Sequence, residues 1–412
     1  MKKSIFTISL LAFLSFPLFA QLSLSGDIFV RPEFRHGYSR MPASDEKPAG
    51  FVNQRTRLIL DFKKDNITTK VSIQDARVWG QQSLRTHTPS LDLHEAWINV
   101  AFTDSFSVKL GRQELKYDNF RFLAHNDWLP MGNKHDALLL RFLTRAGELH
   151  FVSAFNQQAN PLFGTDYNLN HYKTLNFLWF NTNLTNNLNL SLMGMADGYQ
   201  QPETGALNVR GTWHTFLTAK VNKLTFRINP AFQHGNNRNG QQVNAWYMMA
   251  EAGLGVSTSF STRLGFEFFT GNDAENPDNI SRVFDVPYTA GHAMLGFMDY
   301  FTVNIPGQTK GAGLLSPYWR NNFRLSPRTN LNADLHMFWL GNNYIHEGQT
   351  IDKYLGTEAD LTLNYNFNEF TQITAGYSLM FGSESMEVIK GGSKDEFAHW
   401  AYIVLRIRPK FL

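Results

Sequence analysis

The strongest constraint in this chain is a period of two, repeated in eighteen segments between residues 22 and 410. In RTRLILDF, Leu58, Leu60 and Phe62 fall on one side, and Arg55, Arg57 and Asp61 on the other. In TEADLTLNYNF, Ala359, Leu361, Leu363, Tyr365 and Phe367 oppose Glu358, Asp360, Thr362 and Asn364. The closing run YIVLRIRPKFL sets Ile403, Leu405 and Ile407 against Tyr402, Val404, Arg406 and Arg408. Successive side chains of an extended backbone point to opposite faces, so each segment reads as a strand with one apolar and one polar face. A soluble sandwich shows the same alternation, but eighteen strands would need two sheets or several domains, and no linker divides the chain. An apolar exterior with every backbone group paired requires a closed ring. The expected fold is all-β: a transmembrane antiparallel up-and-down β-barrel of about 18 strands.

Punctuation supports this. Tight polar turns near 64–66, 103–105, 145–146, 183–186, 221–222, 256–258, 326–329 and 367–369 alternate with longer loops. That is the threading of an outer-membrane barrel, with short periplasmic turns and long extracellular loops. The longest loop is expected at 271–318. A nineteenth candidate segment, HAMLGFMDYF at 292–301, alternates poorly and is assigned to that loop, because an even count returns both termini to one side.

Composition excludes other classes. Of 412 residues, 43% are hydrophobic and only 18% charged, and Phe occurs 35 times. After the first twenty residues no run of 18 apolar residues occurs, so no spanning helix is expected. Lys2 and Lys3 followed by the mostly apolar stretch 5–20 read as a signal peptide, 1–20, with cleavage before Gln21; residues 21–412 then form one barrel domain. Without Lys2 and Lys3 the 38 basic residues become 36 against 35 acidic ones, which argues against bulk nucleic-acid binding. There is no cysteine, so thiolate and disulfide chemistry are excluded. The localisation implied is the bacterial outer membrane, with lipid around the ring and the barrel-assembly machinery reading the last strand and its near-terminal Phe411.

Strand parity nominates the lumen wall. The inward bases are Arg31, Arg35, Arg55, Arg57, Arg141, Arg210, Arg227, Arg263, Arg320, Arg324, Arg406 and Arg408, with Lys70 and Lys109. The inward acids are Glu33, Glu95, Glu251, Glu267, Asp334, Glu358 and Asp360. Ring closure makes neighbours of the strands bearing Arg406/Arg408, Arg31/Arg35 and Arg55/Arg57. A basic ladder should run down one wall, with Glu358 and Asp360 as an acidic strip nearby. Stripes of arginine favour anions, and the guanidinium fork suits carboxylates. The alternative is that each arginine pairs with a neighbouring acid and stiffens the wall. Asp273, Glu275 and Asp278 carry oxygen ligands of the kind calcium uses, but a solvated acidic loop is the simpler reading. His94–Glu95 and Asp334/His336 resemble acid–base pairs, yet no nucleophile or metalloprotease motif accompanies them.

One block carries a family resemblance. HEAWINVAFTDSFSVKLGRQELKYDN, residues 94–119, resembles the central motif of alginate-export outer-membrane porins, with Glu95 and Trp97, then Gly111, Arg112 and Gln113, in the motif places. The segments GNDAENPDN, GFMDYF and LGTEADL are similar to later blocks of porin relatives. The resemblance implies an eighteen-stranded barrel whose charged lumen conducts an anionic polysaccharide or smaller anions. It adds Trp97 and Arg112 to the pore-lining candidates, although strict alternation puts Arg112 with Phe106, Val108 and Leu110. The function expected is a porin passing anionic solutes or oligosaccharides without cofactor or covalent step. An outer-membrane hydrolase and a plugged surface-binding barrel are the alternatives.

Overall fold

The computed structural model describes residues 21–85, 90–167 and 171–412; the expected leader, 1–20, lies outside the described residues. In chain order the strands are β1 (Gln21–His36), β2 (Ala49–Lys64), β3 (Ile67–Val78), β4 (Leu91–Thr103), β5 (Phe106–Gln113), β6 (His135–Thr144), β7 (Gly147–Phe155), β8 (Thr174–Thr185), β9 (Leu188–Gln200), β10 (Leu207–Val221), β11 (Leu224–Asn236), β12 (Gln242–Gly255), β13 (Phe260–Phe269), β14 (Leu314–Ser326), β15 (Thr329–Leu340), β16 (Ile345–His346), β17 (Gln349–Thr350), β18 (Tyr354–Asn366), β19 (Thr371–Gly382) and β20 (Ala398–Ile407). All but β16 and β17, a small hairpin, belong to one eighteen-stranded sheet. Each strand pairs with its chain neighbours, and β1 pairs antiparallel with β20 to close the ring.

The connections sort onto two rims. One rim carries links of two to four residues; the other carries the long loops, among them 114–134 and 270–313. The outward side chains form the apolar band that parity predicts: Ile28, Leu58, Leu60, Leu178, Leu264, Leu361, Ile403 and Leu405 are all exposed. In lipid this arrangement satisfies every strand amide within the ring while the apolar atoms meet hydrocarbon.

The interior is not an open tube. Loop 114–134 and loop 270–313 fold inside and pack against the wall. Phe122 and Leu123 from the first, and Phe284, Leu295, Met298, Tyr300, Phe301 and Ile305 from the second, are buried. Loop 270–313 contains one helical turn, α1 (Ile305–Gln308). Its base is pinched shut: Asn272 donates its N–H to the Gly311 carbonyl at 2.8 Å, and the Gly341 N–H reaches the Gly313 carbonyl at 3.0 Å. A Cβ on Gly271 would stand 2.0 Å from the Ala312 backbone, so only glycine permits this approach. Helix α2 (Glu384–Lys390), capped by the Ser383 hydroxyl, sits on the same rim. The Lys390 ammonium donates to the Tyr300 carbonyl at 2.7 Å and ties α2 to the loop.

One strand start differs clearly from the sequence reading. Strand β14 begins at Leu314, not at 319, because Pro317 interrupts its pattern and Leu314, Ser316 and Tyr318 bury their inward sides under the plug. Residues 292–301 lie in the long loop, as expected, and they are packed into the lumen rather than paired with the wall.

Candidate pore-lining site

Closure puts β20, β1 and β2 side by side, and their inward arginines do form a ladder. Register sets the rungs: Phe29 is opposite both Arg55 and Arg406, and Asp27 is opposite Arg57. The structure then adds acids that neutralise it. Asp27 accepts from the Arg55 guanidinium at 2.8 Å and from Arg406 at 2.9 and 2.6 Å, with Arg408 4.0 Å away. Higher on β1, Glu33 takes Arg31 at 2.7 Å and Arg35 at 2.8 Å, and also accepts from Asn53 and the Trp400 indole. The ladder is therefore a paired network. Arg55 is 0% exposed and Arg31 2%, whereas Arg406 and Arg35 are partly open and Arg408 is 55% exposed.

Loop 114–134 completes the network from the lumen side. Its Asp127 carboxylate lies 3.0 Å from Arg55, 2.6 Å from Arg406 and 4.0 Å from Arg57. Burial would push the Asp127 carboxyl up, but Arg55 and Arg406 overcome that and hold it below the ordinary range. The next residue, Trp128, covers the Arg31 guanidinium at 3.8 Å and accepts from it through its carbonyl at 2.9 Å. Its other face stacks on His292 of loop 270–313 at 3.9 Å. Glu114 anchors the loop's start, taking His94 at 2.8 Å and Lys116 at 2.6 Å. Burial opposes its ionisation, yet these donors pull its pKa down to about 2.

The motif block makes structural sense. A register shift on β4 brings both His94 and Glu95 inward. Glu95 holds Lys70 at 3.0 Å and accepts from the Trp97 indole at 3.0 Å; the Lys109 ammonium sits 4.0 Å over the Trp97 ring. Gly111 has φ +123°, and a Cβ there would stand 2.2 Å from the Ala96 carbonyl oxygen. The Gln113 amide donates to the Ala137 carbonyl at 2.8 Å. Arg112 is a correction. It keeps the outward parity of Leu110 and forms a two-bond pair with exposed Asp136, both at 2.9 Å. Alternation, not the motif, decides its direction.

The remaining candidates are spread round the ring. Arg210 is buried between Asp197 at 2.6 Å and Asp285 of the long loop at 2.8 Å. Arg227 and Arg263 share Glu251 at 2.6 and 3.6 Å, and Arg141 pairs with Glu148 at 2.5 Å. Arg324 is exposed near the short-turn rim, opposite Asn330. Arg320 donates to the Ala293 and Met294 carbonyls at 3.0 and 2.8 Å, and stands 4.0 Å from Asp334.

The acidic strip is a second correction. Glu358 and Asp360 point inward but are buried, 0% and 3% exposed, and Glu358 lies under loop 270–313. Glu358 accepts the N–H groups of Phe297 and Met298, the latter at 2.7 Å. With Arg320 it clamps one turn of the loop from both polarities of its backbone. Of the acidic loop residues, Asp278 pairs with Arg282 at 2.7 Å and Glu275 accepts from Asn343 and Thr350.

Parity reasoning passed over Asp27, although it shares a face with Arg31 and Glu33. It had no means of finding Asp127, Trp128 or Arg121, which come from a loop; Arg121 is buried in an ion pair with Glu267 on β13.

A profile of alginate-export proteins matches residues 21–388. A comparison with curated protein sequences finds no match. Among solved structures, Acinetobacter baumannii OccAB1 superposes with a TM-score of 0.66 at 12% identity, over 95% of this chain and 97% of its own. Pseudomonas aeruginosa OpdO gives 0.64 at 12% identity, over 95% and 98%. The outer membrane protein OpdK of the same organism gives 0.62 at 10% identity, over 94% and 99%. At such identities the likeness is one of fold. The closed ring, its apolar outer band and the matched profile together make this chain a porin-type transport barrel of the bacterial outer membrane, and it belongs to the alginate-export family.

Proposed function

We propose that the barrel passes small anionic solutes, carboxylates and acidic sugars among them, by diffusion along the β20–β1–β2 wall. The observation that carries this reading is the convergence of Arg55, Arg57, Arg406 and Arg408 on one stretch of lumen, with Arg406 partly open and Arg408 exposed. Guanidinium groups held in fixed orientation hand a carboxylate from one fork to the next without requiring it to be fully hydrated. A polar cavity of ≈ 520 Å³, lined by residues that include Tyr199, Arg210, Gln233, Arg238 and Asp285, lies on the long-loop side and supplies room for entry. Small anions suit this wall better than a polyuronate chain, because most of its arginines already hold an acid.

Planar-bilayer recording on the purified protein tests the reading. In a salt gradient the reversal potential should report anion preference, and Arg406→Ala with Arg408→Ala should weaken it. Cation preference in the unmodified barrel would sink the proposal. The filled interior favours one second reading, a plugged barrel that binds solutes at the surface; absence of conductance steps would support it. Residues 21–412 constitute the mature domain in this reading, and mass spectrometry of envelope-purified protein should find Gln21 at its N-terminus.

A further inference from the structure

Resting on the anion-channel reading above, we infer that Asp127 is a tethered occupant of the channel's own anion site. Loop 114–134 carries a carboxylate into the place that the carboxylate of a solute would take, between Arg55 and Arg406. The site's ligand class is therefore a monocarboxylate, and the loop competes for it.

Three observations carry the inference. First, the Asp127 carboxylate bridges two strands that meet only through ring closure. One oxygen is 3.0 Å from Arg55 on β2 and the other 2.6 Å from Arg406 on β20. This divided grip is how two guanidinium groups hold a free carboxylate. Second, Asp127 differs from the other acids of the wall. Asp27 and Glu33 are fixed by the register of β1, and their side chains are sealed. Asp127 lies on a connection between strands, and its side chain is 22% exposed. Arg55 has no exposure of its own, and of the two acids that cover it Asp127 is the more open, at 22% against 5% for Asp27. Third, the exposed Arg408 stands beside the partly open Arg406, which gives an incoming anion a first contact next to the occupied site.

The exchange is close to isoelectric. A solute carboxylate replacing Asp127 leaves the same charge buried between the same guanidinium groups, so neither a naked arginine nor an extra anion has to be desolvated. A neutral solute has no such route, because displacing Asp127 would strand Arg55 without its loop partner. The cost that remains is local: the Trp128 contacts with Arg31 and His292, and the Arg55 hydrogen bond to the Asp127 carbonyl at 3.3 Å, must loosen as the loop tip withdraws. Specificity for carboxylates then comes from competition with a built-in copy of the ligand's own group.

The test uses the purified chain in planar bilayers as wild type, Asp127→Asn and Asp127→Glu. Sodium glucuronate is the probe, glucose the neutral control, and block of the chloride current the readout. Asp127→Asn should lower the half-blocking glucuronate concentration roughly ten-fold, the change for a site that its own occupant holds about nine-tenths of the time. Asp127→Glu restores the tethered charge and should stay within about two-fold of wild type. Glucose should block none of the three. An unchanged half-blocking concentration in Asp127→Asn, in a barrel that is still anion-selective and still shifts on heating in gels, overturns the inference and leaves the channel reading standing. Equal shifts in both variants overturn it as well, since the effect would then follow loop packing and not charge. Cation selectivity in the wild type overturns the channel reading, and the inference with it.

Discussion

Two long loops fold into this barrel, and the balance of forces that holds them differs. Loop 114–134 docks on the basic wall through charge: Asp127 between Arg55 and Arg406, Glu114 with His94 and Lys116, and the Trp128 face over Arg31. Loop 270–313 docks mainly through apolar burial, with Asp285 on Arg210 at 2.8 Å as its ion pair to the wall. Phe284, Leu295, Met298, Tyr300, Phe301 and Ile305 are buried, its base is closed by backbone hydrogen bonds, and Glu358 and Arg320 clamp its backbone. Apolar burial is non-directional and offers a passing ion no charge to compete for. Ion pairs that reach the lumen respond to salt and to a passing ion. The same interior thus holds a static plug and an exchangeable one: the first should set the size of the passage, and the second its response to anions.

The largest effect should come from emptying the static plug. Phe301 is fully buried and packs on Phe338 at 4.9 Å. Phe301→Ala should cost loop 270–313 about 3–5 kcal/mol of docking, and single-channel recording should show a larger or noisier unit conductance. An unchanged conductance trace would mean that this loop does not limit the passage. Next, Glu358→Ala strips the Phe297 and Met298 amides of their acceptor. Leaving two buried donors unsatisfied costs about 1–3 kcal/mol each, and hydrogen exchange at those amides should accelerate while exchange in loop 114–134 stays as it was. Acceleration in both loops would erase the distinction drawn between them.

A smaller effect should follow pH, and only on the exchangeable plug. The Glu114 carboxyl is held down to about 2, below the ordinary carboxylate value. A depressed acid contributes its full stability above its unfolded pKa and loses it as pH falls through the folded value. Conductance should therefore change as pH falls below about 4.5 toward 2, where Glu114 takes its proton. Glu114→Gln should remove much of that acid transition; a transition of unaltered size would assign it elsewhere. The smallest effect should be that of Arg112→Ala. An exposed pair such as Arg112–Asp136 is worth about 0.2–1 kcal/mol, and because it faces outward the reversal potential should stay put. A changed selectivity would return Arg112 to the lumen.

Much of this architecture could be read before any coordinates. The strand count, the alternation of turns and loops, the apolar exterior and the neighbourhood of the three arginine-bearing strands all rest on a period of two and on ring closure. Both are local or topological rules that a residue obeys regardless of distant partners. Arg112 shows their strength, since parity placed it outward where motif matching pointed inward. The same rules were silent about the plug. Leu314, Ser316 and Tyr318 looked unlike a strand because a loop covers their inward faces, which alternation cannot anticipate. Alternation gives Glu358 and Asp360 the face they occupy and carries no sign of the burial they meet there.

By itself, then, the order of residues determined a closed ring with oil outside and charge within, because side-chain direction in a strand follows from position alone. Whether that charge is free or spoken for was decided in three dimensions. Asp27 meets Arg406 only through the closing pair of strands, and Asp127 meets Arg55 only because a loop turns inward across 72 residues of sequence. Such contacts depend on how distant segments pack, and no periodicity in the chain encodes them.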